Sequence, residues 1–567
     1  MSFLRLQNIV RDQNGTVIRG SASIMDTVYD RERIHKSRQM VVERLGKVVW
    51  YDSDKRQGIF QSELRGLVGY DETLKSFFEV KPDDVRVMHH VSHEAPRHFV
   101  FGEADLFLSF MEKEGFTGLL RKIFTKEEDF SRVMCHLAHT VMRNGSRIKC
   151  DDFVENSLLS HCISGLAVNT LASDTAYFSM MGRDEVKLSV FREYVKLMRK
   201  RHGDGFGKGC FVDSTPLPND MDSPFNAFSS HGTGGAANQM RLATILDAET
   251  LLPIWYEIIP GNVVDVSTMA FLRNSVAEAL DISISDYTLD AGYCSMPLIS
   301  AFCPEWKDDD GGDDTDTCGE AEECDGETGS PCPEIKGRLV VRMPNRRGYP
   351  YKLLWHKLKD QIMKGKNFFR HESHIYFGKR VIVRISGRKV YAYVFVDTQN
   401  AFSALSDFMD RHPEEYAAMK DKDRDFRTFE GGYFILLSNM EMEPKEVLSV
   451  YFSRTLIESY FKTAKTYLDL LPLSKWSDLT VRGKILNDMV ASVIYVGMRN
   501  KANADGKSMT DLLGPLGGNM AIVTGKESRI LVDTPSTKVK NLRKIFGVSD
   551  VSNRTVDEYL KLRGLKV

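Results

Sequence analysis

The stretch from Tyr451 to Lys465, YFSRTLIESYFKTAK, combines aromatic, acidic and basic residues at helical spacing. At about 100° per residue, four polar side chains lie within roughly 40° of the central glutamate, so that five polar residues share one helical face. They are Tyr451, Arg454, Glu458, Lys462 and Lys465. A neighbouring apolar stripe would face a core; it consists of Ile457, Phe461, Ala464 and Leu468. A solvated helix with charge pairs between turns is the ordinary explanation of this pattern. Whether the polar face is instead part of a functional site depends on the rest of the chain.

The composition is that of a globular protein. The 567 residues are 42% hydrophobic and 27% charged, which allows several domains and a large core. The N-terminal sequence has no apolar segment behind a basic start, and no apolar run is long enough to span a membrane. Nine cysteines without CxxC pairs indicate neither a disulfide framework nor a zinc ribbon. We therefore expect a cytoplasmic protein without a membrane partner.

The charge is unevenly distributed along the chain. Residues 308–327 hold eleven acidic residues and no basic one, so the remainder carries +9 although the total formal charge is −2. A mildly basic remainder is compatible with a nucleic-acid partner. The low hydrophobicity of the acidic block predicts a disordered loop over residues 304–335.

The N-terminal third divides into two regions. Residues 1–103 begin with two β-prone runs on either side of Asn14 and Gly15, which is a hairpin signal, and continue with a stretch rich in arginine and lysine. We interpret this region as one that binds DNA ends, although a solvated surface would show the same charges. Residues 104–208 have apolar repeats at helical spacing and are predicted to be entirely helical.

Two aspartates follow short apolar runs in residues 209–303. KGCFVDSTPL ends a predicted strand at Asp213, and ISDYTLDAGYCS ends another at Asp290. The predicted element order is strand, strand, strand, helix, strand. Each aspartate alone could merely cap a turn. At the strand ends of a mixed sheet, however, we expect the two carboxylates to converge in a crevice.

The remaining segments are β-rich, helical and polar in turn. Residues 336–440 are β-rich and basic, which suits a phosphate backbone, although solvation explains part of the charge. Residues 441–503 contain the helix described first and a strongly apolar helix expected to pack behind it. Residues 504–567 are a polar tail with short helical pieces and no assigned function. The basic residues expected to contact DNA in the β-rich segment are Arg342, Arg346 and Arg347.

With Asp213, Asp290 and Glu458 in place, residues 209–501 resemble the DDE transposases. Tyr451, Arg454, Glu458 and Lys465 have the spacing of the Y-R-E-K motif of bacterial insertion-sequence transposases grouped around insertion sequence four. VDST and TLDAGY are similar to the family's segments around the two aspartates. The resemblance implies an α/β fold with a ribonuclease-H-like mixed-sheet catalytic core. It also implies a β-rich insertion, for which the 168 residues between Asp290 and Glu458 leave room.

The resemblance further implies a reaction and its residues. Asp213, Asp290 and Glu458 would be catalytic and would hold two Mg²⁺ or Mn²⁺ ions, with Asp213 bridging both, since hard oxygen ligands suit these ions. The expected reaction is cleavage at element ends followed by transfer of the 3′-hydroxyl into target DNA. The expected partners are double-stranded terminal inverted repeats and target DNA, in a homodimeric or larger synapse. The expected DNA contacts in the motif are Tyr451, Arg454, Lys462 and Lys465.

Two other functions fit the same residues. A ribonuclease-H-like nuclease would nick DNA in a metal-dependent manner without joining ends to a target. A transposase descendant that binds DNA without cleaving it is disfavoured because all three carboxylates are present. A purely structural protein would leave the polar face of the helix unexplained.

Overall fold

The computed structural model divides into two compact units, each described by itself below. The first unit comprises residues 1–98 and 522–526, and the second comprises residues 99–521 and 527–567. The described residues are all those of the chain except 1, 12–16, 30–36, 82–97, 144–146, 163–170, 172–173, 230–236, 264, 308–316, 321–334, 469, 476, 507, 525–526 and 567.

The first unit is built around an antiparallel sheet. In its described part, six strands follow one another in chain order across the sheet, so each strand pairs with the next. The predicted turn at Asn14 and Gly15 lies outside the described residues, but the strands on either side of it do pair antiparallel. One face of the sheet buries a core that includes Leu45, Val48 and Phe60. The strands are β1 Phe3–Arg11, β2 Val17–Tyr29, β3 Ser37–Asp52, β4 Gln57–Ser62, β5 Gly66–Asp71 and β6 Ser76–Glu79.

The second unit begins with a short strand, β7 Phe99–Val100, and then a helical region. The apolar repeats predicted helices from residue 104, and the structure starts the first one at Gly102. Nearly every residue of the third helix is buried from Phe130 onward, because it is covered by the long helix near residue 490. The helices of this region are α1 Gly102–Lys113, α2 Phe116–Ile123, α3 Glu127–Met142, α4 Cys150–Glu155, α5 Leu159–Cys162, α6 Thr175–Met181 and α7 Asp184–His202.

A mixed sheet follows, in the predicted element order. The three antiparallel neighbours β8, β10 and β11 come first, then helix α8, and then β12, which returns parallel to β8. Strand β12 also pairs in parallel with β14 on its other side. This arrangement places β8, which contains Asp213, next to β12, which ends one residue before Asp290. The elements are β8 Gly209–Pro218, β9 Ala227–Ser229, β10 Ala237–Asp247, β11 Pro253–Pro260, α8 Asp265–Leu280, β12 Asp286–Leu289, α9 Met296–Phe302 and β14 Leu339–Arg342.

The segment predicted as an insertion continues the same sheet. Across the described residues of this unit, eleven strands belong to one sheet, and β14 pairs with β18, which in turn pairs with β17. Residues 336–440 therefore do not form a sheet of their own, and they contain helices as well as strands. The elements are β13 Thr317–Glu320, α10 Tyr351–Ile362, β15 Phe368–His371, β16 His374–Ile385, β17 Arg388–Asp397, α11 Thr398–Arg411, α12 Pro413–Ala418, α13 Asp421–Glu430 and β18 Tyr433–Ser438.

Most of the acidic block lies outside the described residues. Within it, β13 runs parallel to β16, with Thr317 opposite Ile382 and Glu320 opposite Arg384. The four residues of β13, Thr317–Glu320, therefore extend the sheet, whereas the composition predicted a disordered loop over the whole of residues 304–335.

The stretch Tyr451–Lys465 is not the single helix that its periodicity predicts. Helix α14, Pro444–Phe452, ends before Ser453, and helix α15, Thr455–Thr466, begins after Arg454. The junction is a turn of the 3-10 type, because the Arg454 amide donates to the Tyr451 carbonyl, three residues back, at 3.0 Å. The predicted apolar stripe is confirmed as buried; its members are Ile457, Phe461, Ala464 and Leu468.

A 27-residue helix, α16 Asp478–Ala504, packs against α6 and contacts α15, where the hydroxyl groups of Tyr460 and Ser492 lie 2.9 Å apart; its apolar sequence predicted this packing behind α15. At this crossing a Cβ atom on Gly182 would overlap the carbonyl group of Leu479, and one on Gly483 would overlap the carbonyl group of Phe178. The two backbones therefore approach each other at a distance that requires glycine on both sides.

We expect Gly483→Ala to lower the free energy of unfolding by about 1–3 kcal/mol, because the added methyl group must separate α6 from α16. The matched control is Gly118→Ala, at an exposed position in α2 with open space around it. Removing that glycine should be neutral or slightly stabilising. Chemical denaturation of both variants measures the difference; equal stabilities would show that the crossing tolerates a methyl group.

The tail contains the short helices predicted for it, and the helical region holds them in place. The carboxylate of Asp105 is fully buried in α1 and accepts hydrogen bonds from Arg563 at 2.7 Å, Tyr559 at 2.8 Å and Arg543 at 2.9 Å. No helix among the described residues is long and apolar enough to cross a membrane. The elements of the tail are α17 Met509–Leu516, β19 Met520–Thr524, β20 Arg529–Val532, α18 Thr537–Ile545 and α19 Val556–Leu562.

Candidate active site

The sheet itself brings the two aspartates together. In the parallel pairing of β12 with β8, Asp286 lies opposite Gly209 and Thr288 opposite Phe211. Continuing this register by two residues places Asp290, directly after β12, at the level of Asp213 in β8. The strand ends predicted to converge are thus adjacent.

Glu458 lies in the first turn of α15 and is the third carboxylate of the cluster. Its side chain is 60% exposed, that of Asp290 is 43% exposed and that of Asp213 is 22% exposed. The structure therefore brings the three predicted acidic residues to one site that is open to solvent on the side of Asp290 and Glu458. Asp213 lies in strand β8, Asp290 directly follows strand β12, and Glu458 lies in helix α15.

The guanidinium group of Arg454 lies between the three carboxylates. One terminal nitrogen is 3.3 Å from the Asp213 carboxylate, and the other is 3.2 Å from Glu458 and 3.8 Å from Asp290. The side chain is only 9% exposed. Burial alone would lower the pKa of Arg454, but the nearby negative charges outweigh it and raise the pKa above its usual value. The Arg454 side chain therefore stays positively charged within this site.

Tyr451, predicted as a DNA contact, lies at the end of α14 with its ring buried. Its hydroxyl group donates a hydrogen bond of 3.0 Å to Asp290 Oδ1. Burial, together with the charge of Asp290, raises the pKa of Tyr451 to about 12. The hydroxyl group thus remains protonated at neutral pH and orients the Asp290 carboxylate.

The two lysines of the motif differ in their surroundings. Lys462 is exposed, whereas Lys465 is partly buried. Burial lowers the pKa of Lys465, and the positive charge of Arg241 lowers it further. Arg241 was not predicted from the sequence. It lies on β10 and donates from Nε to Ser214 Oγ at 3.1 Å, beside Asp213.

The three predicted arginines of the β-rich segment lie on β14 and the turn that follows it. Arg342 is partly buried over the ring of Phe434, while Arg346 and Arg347 are exposed. Arg346 donates to the carbonyl oxygen of Cys294 at 2.9 Å, four residues beyond Asp290. Because β14 is the direct neighbour of β12, these charges flank the carboxylate cluster.

The carboxylates have the chemistry of a site for a hard divalent cation, although their present arrangement is centred on an arginine. Three carboxylates from three elements are oxygen ligands of the kind that Mg²⁺ and Mn²⁺ prefer. Among the described residues, no group of three or more acidic, histidine or cysteine side chains is already arranged to hold a metal ion. The exposed oxygens of Asp290 and Glu458 leave an approach from solvent. The three carboxylates therefore suit these ions as ligands once the Arg454 side chain has moved away from them.

Comparison with known sequence families identifies the family of the chain. Residues 204–487, half of the chain, match the family described as the transposase DDE domain. The chain belongs to the DDE transposase family. The matched range of this DDE transposase includes the three carboxylates and Arg454. The mixed α/β architecture of the second unit fits the core expected for such a protein.

Among solved structures, the cryo-EM structure of a piggyBac transposase synaptic complex with hairpin DNA is similar to this DDE transposase. The sequences are 11% identical, the TM-score is 0.30, and the match covers 78% of this chain and 81% of that chain. No curated protein matches the sequence of this DDE transposase.

Proposed function

We propose that this protein cleaves DNA at the ends of a mobile element and transfers the liberated 3′-hydroxyl groups into target DNA. The observation that carries the proposal is the convergence of Asp213, Asp290 and Glu458, from separate elements of a DDE-family domain, at one solvent-accessible site. The motif spacing supports the bacterial insertion-sequence group within the family. The proposed assembly is a homodimeric or larger synapse that acts in the cytoplasm.

The proposed cofactors are two Mg²⁺ or Mn²⁺ ions held by Asp213, Asp290 and Glu458. Such ions activate the attacking oxygen and stabilise the leaving oxygen of a phosphodiester. The side chain of Asp213 is the most buried of the three, and its position is fixed by the strand hydrogen bonds of β8. Asp290 is oriented by the Tyr451 hydroxyl group.

The proposed reaction has two steps, hydrolysis at the element end and strand transfer to the target. In the first, water attacks the phosphorus atom at the element end, the bond to the 3′ oxygen breaks, and a 3′-hydroxyl and a 5′-phosphate result. In the second, that 3′-hydroxyl attacks a phosphorus atom of the target and loses its proton; a new phosphodiester bond forms, the bond to the target's 3′ oxygen breaks, and that oxygen takes up a proton and leaves as a 3′-hydroxyl. Neither step consumes a nucleotide cofactor or requires a redox partner.

Basic residues around the carboxylates would hold the DNA backbone. Phosphate contacts fix the register of a duplex on a protein without reading its sequence. Lys462, Arg346 and Arg347 are exposed near the cluster. Lys465 lies near Arg241, which contacts Ser214, the residue after Asp213. These positions suit a backbone that passes over the open side of the site.

A cleavage and joining assay tests the proposal. The substrate is linear DNA that carries the sequences flanking this gene, incubated with a supercoiled target plasmid in Mg²⁺ or Mn²⁺. We expect new 3′ ends at the element boundary and covalent joining of these ends to the plasmid. Nicking without joining would favour a nuclease, and binding without any cleavage would favour an inert DNA-binding descendant. Chelation of the divalent cation should abolish both products.

We expect Lys465→Ala to weaken binding of end DNA and to lower its salt dependence by about one unit of the log–log slope, because one phosphate contact is lost. Fluorescence anisotropy across a salt series measures the slope. The matched control is Lys196→Ala, an exposed lysine on α7 that is already paired with Glu193 at 2.8 Å. An unchanged slope for Lys465→Ala, equal to that of the control, would place Lys465 away from the DNA backbone.

A further inference from the structure

The buried guanidinium group of Arg454 holds together three side chains that would otherwise repel one another. Asp213, Asp290 and Glu458 all lie within 3.8 Å of its two terminal nitrogens. Three carboxylates this close to one another need a cation among them, because like charges at short range raise the energy of the site. In this structure the cation is supplied by the chain itself.

Arg454 is held by contacts that are individually weak. Ion pairs of 3.2–3.8 Å are longer than the 2.7–2.9 Å of strong charge-assisted hydrogen bonds. Its Nε atom is buried and has no hydrogen-bond partner among the described residues. The guanidinium group is thus shared between three acceptors without an optimal bond to any of them. Such an arrangement can be exchanged for a better one.

The position of Arg454 in the chain suits such an exchange. It lies in the two-residue junction between α14 and α15, where its amide donates to the Tyr451 carbonyl and its own carbonyl accepts from the Ile457 amide. The adjoining helices are anchored by buried residues such as Leu448 and Ile457. Because the backbone on both sides is fixed, the Arg454 side chain can leave the carboxylates by rotation about its own bonds while Glu458, in the first turn of α15, remains in place.

We propose that Arg454 is a positioning residue that takes the place of divalent cations: it gathers the three carboxylates before metal ions bind and competes with those ions for them. This inference rests on the proposed metal-dependent function. Each ion that binds displaces the guanidinium group from the carboxylates. The released arginine then needs another anion, and the DNA phosphates over the site provide one. The binding of metal ions and the binding of DNA phosphate by Arg454 are coupled in this way, so each increases the affinity of the protein for the other.

The affinity of the free protein for Mn²⁺ tests this inference without any measurement of DNA cleavage. Titration calorimetry or the electron paramagnetic resonance signal of free Mn²⁺ would be used on wild type, Arg454→Met and Lys462→Met. Lys462 is exposed one turn beyond Glu458 and makes no ion pair with a carboxylate of the site within the described part of the chain. Its removal therefore measures the general effect of losing one positive charge near the site. We expect Arg454→Met to bind Mn²⁺ at least about tenfold more tightly than Lys462→Met does, because only Arg454 occupies the ligands.

The thermal stability of the same variants provides a second measurement. In EDTA, Arg454→Met should melt below wild type, because its carboxylates have lost their cation. Mn²⁺ should raise its melting temperature more than it raises that of wild type. If Arg454→Met does not fold without metal, Arg454→Lys replaces it. That variant keeps the charge but lacks the forked guanidinium group, so we expect it to bind Mn²⁺ more tightly than wild type.

An Arg454→Met protein that binds Mn²⁺ no more tightly than Lys462→Met would overturn the inference, as would a protein in which neither variant nor wild type binds the ion. The failure of the proposed function has a different signature. Wild-type protein would then neither cleave nor join DNA, while Mn²⁺ affinity would still rise on removal of Arg454.

Discussion

Replacing Asp213 by asparagine is expected to lower DNA cleavage by more than about a hundredfold and to leave the fold and the binding of end DNA nearly intact. Asparagine has almost the same shape as aspartate, so the hydrogen bonds of β8 are preserved, but it loses the negative charge that a hard cation requires. Loss of a group that merely supports a metal ligand typically costs 10- to 100-fold, so loss of a ligand should cost more. The same result is expected for Asp290→Asn and Glu458→Gln.

The control is Asp286→Asn, an acidic residue at the opposite end of β12. Asp286 is partly exposed, lies 3.9 Å from Arg338 and is paired with Gly209, four residues before Asp213. We expect this variant to cleave at the wild-type rate. Single-turnover cleavage of labelled end DNA in Mg²⁺ compares the four variants with wild type, and circular dichroism verifies their fold. A fast Asp213→Asn enzyme would remove Asp213 from the metal site.

Replacing Asp105 by alanine is expected to lower the free energy of unfolding by about 3–5 kcal/mol. The carboxylate is fully buried and accepts hydrogen bonds from Arg563, Tyr559 and Arg543. Burial alone would lower the pKa of Arg563, but the charge of Asp105 outweighs burial and raises it, so the arginine stays charged. Without Asp105, a buried positive charge loses its partner, which costs far more than the loss of an exposed pair.

Urea denaturation followed by circular dichroism measures this effect. Asp557→Ala is the control, because Asp557 also pairs with a basic residue of the tail, Lys566, but both side chains are about half exposed. Its removal should leave the stability unchanged within error, since exposed ion pairs contribute little. If Asp105→Ala were as stable as this control, the tail would not depend on the buried pair.

The order of elements around the two aspartates could be predicted from the sequence. Short apolar runs end at Asp213 and Asp290, and one helical repeat lies between them, so the strands β8 and β12 and the helix α8 follow from local patterns. The continuity of the sheet could not be predicted in the same way. It depends on β14 pairing in parallel with β12 and antiparallel with β18, and local periodicity does not specify a partner that is distant in the chain.

The residues of the site could be predicted, but their mutual contacts could not. The spacing around Glu458 was recognised, whereas the break between α14 and α15 was missed because neither glycine nor proline marks it. That break determines where Arg454 lies, and only the folded chain shows that Arg454 reaches all three carboxylates. Arg241 was missed for a similar reason, since its contact with Ser214 requires the pairing of β10 with β8.

The contact between Asp105 and Arg563 has a consequence for synthesis of the protein. The two residues are 458 positions apart, so a ribosome must add most of the chain after α1 before the partner of that carboxylate exists. Contacts with such a large sequence separation are formed late in folding. Until Arg543, Tyr559 and Arg563 have been synthesised, the Asp105 carboxylate lacks these donors and must stay hydrated, so that part of the helical region cannot complete its packing. A messenger truncated shortly before this point would therefore yield an unstable chain, which cellular proteases remove, and not a shortened active enzyme.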